Sequence, residues 1–281
     1  ALVLSGATFG LSWLFLKGNL NKKIFSIIIV LISIGDLWVV NNEFLFLKPP
    51  EKINLHFKET PSIKYLKNDK SHFRFFPADE LNSNKYGYWG IQSIGGYRAV
   101  KLRNYQDLMD AGGFGRPHIL NMLNVKYVLT GKKINSPLFS PVINHNGLYQ
   151  NKAVLPRAWF VNNINNVTNQ ETSLQLVLSQ TFDPRKEAVI VNYSGPKIPE
   201  SSTGTAQIET LSENKIVITA STSAGGLLVL SEIYYKPGWK CEIDGILTDI
   251  FQTNHVLRSI FVPEGNHSIK FYYDKNSWEI T

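Results

Sequence analysis

Two long runs of apolar residues open the chain, and a short polar segment separates them. Residues 2 to 16 read LVLSGATFGLSWLFL without a charge, and residues 24 to 40 read IFSIIIVLISIGDLWVV with only Asp36 charged. A helix that crosses a bilayer needs about 20 apolar residues, and one signal peptide does not explain two runs in tandem. The pattern predicts two transmembrane helices, at about 1–16 and 24–41. Two buried helices of a soluble protein are the alternative.

The polar segment between the two runs indicates an orientation. It holds Lys17, Lys22 and Lys23, and loops rich in lysine stay on the cytoplasmic side of a membrane. We therefore expect a multi-pass protein of the cell membrane, in which residues 1–47 form the membrane part and the bulk of the chain is extracytoplasmic. Asp36 falls about one turn from the outer end of the second helix. There it is either a membrane-interface residue that reaches water or a carboxylate that lines a site.

Residues 48–200 alternate between short helical and short extended patterns. Thr60 and Pro61 favour the start of a helix, as its N-cap and first residue. Other helix-like stretches are 100–108, 117–124 and 172–180, and strand-like stretches are 72–77, 125–130, 159–163 and 187–191. The mixture predicts an α+β protein with a mixed α/β domain over 48–200. The stretch 195–204, rich in Pro, Ser and Gly, is the predicted linker.

Residues 205–273 show the two-residue alternation of β-strands. Seven short runs are separated by turn residues, and they cover 205–211, 215–221, 227–233, 239–243, 246–251, 256–262 and 267–273. This spacing is typical of an antiparallel β-sandwich. Asp244-Gly245 predicts a two-residue hairpin turn of the primed type, and Pro237-Gly238 fits a type II turn.

The alternation within these runs also assigns side chains to faces. In the fourth run Trp239, Cys241 and Ile243 share one face. We therefore interpret the cysteine as a small buried hydrophobe, with a redox or metal site as the alternative. Residues 274–281 form a polar turn followed by Trp278, which we interpret as the approach to a further membrane helix that the sequence does not include.

The composition supports a membrane part and limits the chemistry. The 281 residues are 43% hydrophobic and only 18% charged, and the lack of charge is concentrated at the N-terminal end. The net charge of +7 favours anionic partners, although a generally basic surface gives the same value. One cysteine excludes an intramolecular disulfide and a cysteine-rich zinc site. Because the chain begins at Ala1 inside an apolar run, we expect it to be the C-terminal portion of a longer protein.

No motif for catalysis stands out in this sequence. The six histidines lack metal-ligand spacing, and there is no nucleophile elbow, phosphate-binding glycine loop or dinucleotide fingerprint. We therefore predict no catalytic residue, no metal ligand and no cofactor in this portion. We also predict no nucleic-acid partner, because the sequence contains no recognisable recognition module.

Two groups of aromatic and basic residues are the best candidates for binding an anion or a glycan. The first cluster is Tyr97, Arg98, Lys101, Arg103 and Tyr105, and the second cluster is Tyr234, Tyr235 and Lys236. Arginine and lysine bind phosphate and carboxylate groups, and aromatic rings offer an apolar face with a polar edge. The alternatives are a helix surface with stacked tyrosines for the first cluster and the corner of a β-sheet for the second.

Several segments, in their order along the chain, resemble the YfhO-type family of bacterial membrane proteins. They are DLW (36–38), GGY (95–97), KLRNYQDL (101–108), LNVKYVL (123–129), LPRAWFV (155–161), YYKPGWKCEIDG (234–245) and LRSIFVPEGNHSIKFYY (257–273). The resemblance implies a protein of many helices with a large extracytoplasmic domain before its last one. Such proteins are similar to membrane glycosyltransferases that use polyprenyl-phosphate sugars, and the family is linked to glycosylation of cell-envelope polymers such as teichoic acids.

The resemblance implies a function for the longer protein and a part in it for this chain. In such enzymes the catalytic carboxylate belongs to an early outer loop, and no residue here matches that loop. This portion would then supply acceptor-side or structural domains. Its partners would be the lipid bilayer, a polyprenyl-phosphate sugar and an anionic envelope polymer. The alternative is a non-catalytic carbohydrate-binding or structural module that is anchored in the membrane.

Overall fold

The computed structural model describes residues 2–45, 55 and 57–275. The chain divides into two compact units, Ala1–Lys58 and Glu59–Thr281. Two predictions lie wholly or partly outside the described residues: the end of the membrane part at residue 47, and the approach to a further helix over 274–281, of which residues 274 and 275 are described.

The first unit contains two helices, α1 (Leu2–Leu16) and α2 (Lys22–Phe44). Asn21 caps α2, because its Oδ1 accepts the Lys23 N–H at 2.9 Å. Within the described part of the chain, α2 is the helix with the length and apolar composition of a membrane span, and its mean hydropathy reaches 2.2. Of the two predicted spans, only α2 has spanning length within the described residues, since α1 has 15 residues there.

Helix α2 ends later than the sequence pattern predicted. It continues past residue 41 to Phe44, because Asn41, Asn42 and Glu43 do not interrupt its backbone hydrogen bonds. Asp36 therefore lies about two turns from the end of the helix, not one. Its side chain is exposed within the unit.

The second unit is an α+β structure. Its helices are α3 (Pro61–Asn68), α4 (Arg103–Asp110), α5 (Pro117–Met122) and α6 (Gln170–Leu178). Its strands are β1 (Arg74–Pro77), β2 (Val125–Leu129), β3 (Phe139–Pro141), β4 (Leu148–Asn151), β5 (Ala158–Val161), β6 (Asn163–Val167), β7 (Glu187–Val191), β8 (Gly204–Leu211), β9 (Lys215–Thr222), β10 (Gly226–Ile233), β11 (Trp239–Ile243), β12 (Ile246–Thr248), β13 (Phe251–Thr253), β14 (Leu257–Val262) and β15 (Gly265–Tyr273). The predicted cap of α3 is confirmed, since Thr60 Oγ1 accepts the Ile63 N–H.

Three sheets are present in the described residues. One has four strands in the order β1-β2-β4-β3, and one has six in the order β5-β10-β14-β13-β7-β6. The third is an antiparallel sheet of five strands in the order β12-β11-β15-β9-β8. The six-stranded sheet takes strands from both sides of residues 195–204. The predicted boundary between a 48–200 domain and a 205–273 sandwich therefore falls inside one unit.

The seven extended runs of the C-terminal region all contain strands, but they do not form a sandwich among themselves. Strand β10 pairs with β5 and strand β13 pairs with β7 of the middle region, and β14 lies between β10 and β13 in the same six-stranded sheet. The other strands of these runs build the five-stranded sheet. Alternation shows which side of a strand each residue faces, but it does not name the strand's partner. That is why the sequence pattern missed the mixed origin of this sheet.

The six-stranded sheet is buried on both faces. Along β10, Leu227 and Val229 belong to a hydrophobic cluster with side chains of α4, α5 and α6. Leu228 and Leu230 point the other way and belong to a second cluster, which includes Phe271 of the five-stranded sheet. Burial on both sides explains why β10 reads as a continuous apolar run and not as an alternation.

The Gly95-Gly96 pair is required by a close approach of two backbone segments. A Cβ atom on Gly95 would lie 2.1 Å from the Leu81 carbonyl oxygen, and Gly96 adopts a φ of 132°. The Gly96 N–H donates to that carbonyl oxygen at 2.6 Å. The Asn84 side chain accepts from the Tyr97 N–H at 2.9 Å. These contacts fix the backbone at the start of the first cluster.

The turn predictions at the second cluster are confirmed. Asp244 and Gly245 have φ values of 52° and 85°, as a primed hairpin turn requires, and Gly238 has a φ of 81°. Cys241 is fully buried beside Ile243 in the second hydrophobic cluster, with Trp239 packed against it. Burial raises the pKa of its thiol, so that Cys241 is a packing residue and not a nucleophile.

The hairpin turn carries an ion pair that predicts a pH dependence of stability. His267 Nδ1 lies 2.6 Å from Asp244 Oδ2. The hydrogen bond raises the pKa of His267 above its usual value of about 6.5 and lowers the pKa of Asp244. The contribution of His267 to stability is therefore complete below about pH 6.5 and is lost as the pH rises through the raised pKa. The contribution of Asp244 is present above its usual pKa and is lost as the pH falls through the lowered one.

We expect His267→Gln to reduce the loss of unfolding free energy between about pH 6 and about pH 8, because the variant cannot release this proton. Urea unfolding of the full chain at the two pH values measures the difference. The matched change in exposed His72 should leave it unaltered. Equal pH dependence in the wild type and His267→Gln would contradict the assignment.

Candidate functional site

The two predicted clusters meet where β10 leads into β11. A pocket of about 180 Å³ is lined by Arg103 and Tyr105 of the first cluster and by Tyr234, Tyr235 and Lys236 of the second. We call it the corner pocket. In the sequence these two clusters are more than a hundred residues apart. The sequence pattern therefore predicted each cluster but not that they lie close together in space.

The turn between β13 and β14 holds the two clusters together. Asn254 and His255 both have positive φ, at 49° and 67°, which turns their carbonyl groups away from the sheet ladder. The His255 carbonyl oxygen accepts from Asn104 Nδ2 at 3.2 Å, and the Val256 carbonyl oxygen accepts from the Tyr234 N–H at 2.8 Å. One turn thereby fixes both the start of α4 and the corner that follows β10.

The two residues of the first cluster in this pocket differ in burial. The Tyr105 hydroxyl donates to the Ile94 carbonyl oxygen at 2.6 Å, and its ring packs edge-on against Phe114. Burial raises the pKa of Tyr105 to about 12, which keeps its hydroxyl protonated. The Arg103 side chain is 89% exposed, and its Nε donates to Asp107 at 3.1 Å. Tyr105 is thus a fixed wall, whereas Arg103 is a solvated cation at the mouth of the pocket.

The remaining residues of the first cluster do not line this pocket. Tyr97, Arg98 and Lys101 are exposed. The helix-like stretch predicted over 100–108 begins too early, because Val100 is 87% exposed, whereas Leu108 is fully buried. Helix α4 itself starts only at Arg103, so the residues before it follow no helical period.

A larger pocket lies on the other side of the second cluster. It has a volume of about 540 Å³ and shares Tyr234, Tyr235 and Lys236 with the corner pocket. We call it the tryptophan pocket, because Trp239 lines it. The charged residues among its lining are Lys236, Lys240, Asp249 and Arg258.

Arg258 is the residue of this pocket that sequence reasoning did not select. It is 4% exposed, its guanidinium carbon lies 4.3 Å from the centre of the Trp239 ring, and its Nη2 donates to the Ile233 carbonyl oxygen at 2.7 Å. Burial lowers its pKa to about 10, so it is charged at neutral pH. The signal was in the sequence: Arg258 shares a strand face with Val256 and Ile260, where a charge is unexpected.

Behind the tryptophan pocket, three arginines surround one carboxylate. Arg157 Nε donates to Glu232 Oε1 at 2.7 Å, and Arg74 Nη2 donates to Oε2 at 3.2 Å. Burial disfavours the charge on Glu232, yet Arg74, Arg157 and Arg258 hold its pKa below the usual value. We call Arg74, Arg157, Arg258 and Glu232 the arginine cluster. It carries three positive charges against one negative charge.

A β-bulge brings Glu232 into this cluster. Leu230 pairs with Arg258 and Ile233 pairs with Leu257, so two residues of β10 have no opposite partner on β14. Bulges turn a side chain out of the regular alternation. Ser231, in the same bulge, donates its hydroxyl to the Met122 carbonyl oxygen at 2.8 Å, which anchors β10 to the end of α5.

The chemistry that these groups support is non-covalent recognition. No group of three or more His, Cys, Asp or Glu residues that could hold a metal ion is found in the described ranges. The two pockets offer aromatic rings, the exposed cations Arg103 and Lys236, the ion-paired Lys240 and the buried guanidinium of Arg258. Aromatic faces and cations together suit ligands that combine an apolar ring face with negative charge.

Comparisons with protein-family models, with curated proteins and with solved structures find no match to this chain. The resemblance to the YfhO-type family therefore stays a prediction from the ordered segments. The geometry of the two pockets is an independent observation, since it comes from the contacts of this chain alone.

Proposed function

We propose that this chain forms the acceptor-binding part of a membrane glycosyltransferase, which transfers sugar from a polyprenyl phosphate to a polymer of the bacterial cell envelope. The observation that supports the proposal is the corner pocket, where residues of both predicted clusters meet. Tyr234 and Tyr235 supply ring surface for a glycan, and Lys236 and Arg103 supply positive charge for an anionic polymer.

The proposal places the chain at the outer face of the cell membrane. Helix α2 would span the bilayer, with α1 as its partner in a transmembrane hairpin, and the unit from Glu59 on would be extracytoplasmic. The five- and six-stranded sheets, which share a buried cluster, would form the β-sandwich that carries both pockets. The apolar composition of α2 and the lysines between α1 and α2 support this arrangement.

The chain's own part in such a reaction is to bind and orient the acceptor. Inverting sugar transfer requires a carboxylate that removes the proton of the acceptor hydroxyl. No Asp or Glu lies among the described residues that line the corner pocket, so we assign the base to no residue of this chain. Holding the acceptor hydroxyl in line with the sugar donor accelerates transfer by reducing the entropy cost of the encounter.

Charge reversal tests this role with a matched control. We expect the double variant R103E/K236E to lower glycosylation of the envelope polymer by about tenfold or more, because it replaces attraction for an anionic acceptor with repulsion. The control R98E/K101E makes the same change of charge at exposed residues outside both pockets. The measurement is a profile of envelope glycans from cells that carry each variant in place of the wild-type gene.

Two outcomes of this experiment would contradict the proposal. Deletion of the whole gene must alter the glycan profile, and an unchanged profile excludes a part in glycosylation. An equal loss in R103E/K236E and R98E/K101E would show that overall charge matters and the corner pocket does not.

A non-catalytic glycan-binding module is the second candidate, and the absence of an acid from the described lining of the corner pocket favours it. In that case cells without the gene keep their envelope glycans, while the purified chain still binds envelope polysaccharide. Binding that is lost in R103E/K236E and kept in R98E/K101E would distinguish this module from a purely structural domain.

A further inference from the structure

The arginine cluster leaves one buried positive charge without a carboxylate of its own. Both oxygens of Glu232 accept hydrogen bonds, one from Arg157 and one from Arg74. Arg258 makes no ion pair with a carboxylate within 4 Å among the described residues. A buried charge that lacks a carboxylate of its own is costly, and strongly perturbed charged groups in a cleft are candidates for ligand binding.

The position of Arg258 points to the tryptophan pocket. One side of its guanidinium stacks on Trp239 at 4.3 Å, and Nη2 is engaged by the Ile233 carbonyl oxygen. The other amino group, Nη1, is covered from solvent and has no hydrogen-bond partner in the part of the chain that the structure describes. Arg258 lines the pocket, so its positive field acts on whatever enters.

The size and the other walls of the pocket narrow the class of ligand. A volume of about 540 Å³ lies in the range of small-molecule sites and accommodates a sugar ring with a substituent. Trp239 and Tyr235 supply ring faces. Of the other charged residues, Lys240 is paired with Asp274 at 2.6 Å, and Lys236 is exposed, as is the one lining carboxylate, Asp249.

We infer that the tryptophan pocket binds a sugar that carries an oxyanion, either a phosphate ester or a carboxylate, with the sugar on the aromatic residues and the anion toward Arg258. A neutral sugar would leave the excess charge of the arginine cluster as it is, whereas an oxyanion offsets it. The positive charge of Arg258 attracts either anion, whereas its Nη2 is already bonded to the Ile233 carbonyl oxygen. The inference rests on the proposed function, for which it specifies the acceptor: an anionic saccharide that extends from the corner pocket past Tyr235.

Four probes test the pocket on the full-length chain purified in detergent. They are glucose 6-phosphate, glucuronate, glucose and inorganic phosphate, and their dissociation constants are measured by titration calorimetry, with saturation-transfer NMR for the sugars. We expect at least one of the two charged sugars to bind about tenfold or more tightly than glucose and than phosphate, because only the charged sugar satisfies both parts of the pocket. Preference for the phosphate ester or for the carboxylate identifies the source of the anion.

Variants assign the binding to Arg258. Arg258→Lys keeps a positive charge but removes the planar guanidinium that lies against Trp239 and bonds the Ile233 carbonyl oxygen. Trp239→Leu removes the ring. Each variant should weaken binding of the charged sugar by about tenfold. The matched control is Arg185→Lys, at an exposed arginine that bonds Asp183 outside the pocket. If circular dichroism shows that a variant does not fold, the comparison of the four probes on the wild-type chain still tests whether the pocket prefers a charged sugar. Raised salt should then weaken the charged sugar and not glucose.

The outcomes separate this inference from the proposed function. Three results would overturn the inference. They are equal binding of glucose and the charged sugars, no binding of any probe at about 50 mM, which is well above a weak Kd of about 1 mM, and unchanged binding in a folded Arg258→Lys chain. If any of these results is found but deletion of the gene alters the envelope glycans, the inference fails and the proposed function is still supported. If a charged sugar binds tightly but deletion of the gene leaves the envelope glycans unchanged, the proposed part in glycosyl transfer is overturned. The inference that the tryptophan pocket binds an oxyanion then stands.

Discussion

Replacing Glu232 with glutamine is expected to lower the free energy of unfolding by about 3–5 kcal/mol. The carboxylate is 19% exposed and accepts hydrogen bonds from both Arg74 and Arg157. Its removal leaves three arginines close together without a negative charge, and the cost of uncompensated buried charge exceeds that of one lost hydrogen bond. Urea unfolding of the full chain, followed by tryptophan fluorescence, measures the change.

The control for this variant is the same substitution at a solvated position. Glu209 is exposed on β8, so Glu209→Gln should change the free energy of unfolding by less than about 0.5 kcal/mol. A loss below about 1 kcal/mol in Glu232→Gln would show that Glu232 does not balance the arginines. It would also mean that the arginine cluster carries little excess positive charge for a bound anion to offset.

Replacing Phe271 with alanine is expected to cost about 3–5 kcal/mol as well, for a different reason. Phe271 is fully buried on β15 and belongs to the cluster through which the five-stranded and six-stranded sheets contact each other. Truncation removes the apolar surface of the ring and leaves a cavity between two sheets whose backbones cannot close it. The same unfolding experiment measures the loss.

An apolar residue of the same sheet outside this cluster provides the comparison. Ile246 follows the hairpin turn and is 75% exposed, so Ile246→Ala should change stability by less than about 0.5 kcal/mol. Similar effects of Phe271→Ala and Ile246→Ala would mean that the two sheets are not held together through this cluster.

The two predictions concern interactions that the sequence reveals to different degrees. Phe271 stands in an alternating run, so the pattern places it on the same strand face as Ile269. Glu232 stands next to a bulge and bonds an arginine 158 positions away. A regular alternation places Glu232 on one face of the strand, and only the bulge brings it among the arginines.

The candidate site was predictable only in parts. Both clusters were found from composition, because tyrosines and cations close together on the chain are visible as such. The first cluster divides at the start of α4, which the sequence pattern did not locate. Arg103 and Tyr105 line the pocket, and Tyr97, Arg98 and Lys101 lie outside it. Arg258 was visible as a charge on a buried face, but its relation to Trp239 required the pairing of strands.

What the sequence determined by itself is local. Turn geometry at Asp244-Gly245 and Gly238 follows from residues that accept positive φ, the cap of α3 follows from Thr60, and the apolar character of α2 follows from its run of residues. Each depends on a few neighbouring positions, and local sterics and hydrogen bonding are enough to decide it.

What only the tertiary structure decided is which distant segments are neighbours. Pairing of β10 with β5 made one unit of two predicted domains, and the turn at His255 joined two clusters into one pocket. Alternation gives the side that a residue faces and leaves its partner strand open. The partner is chosen by the burial of whole faces at once, and this is why the arginine cluster and the tryptophan pocket come into view only in the folded chain.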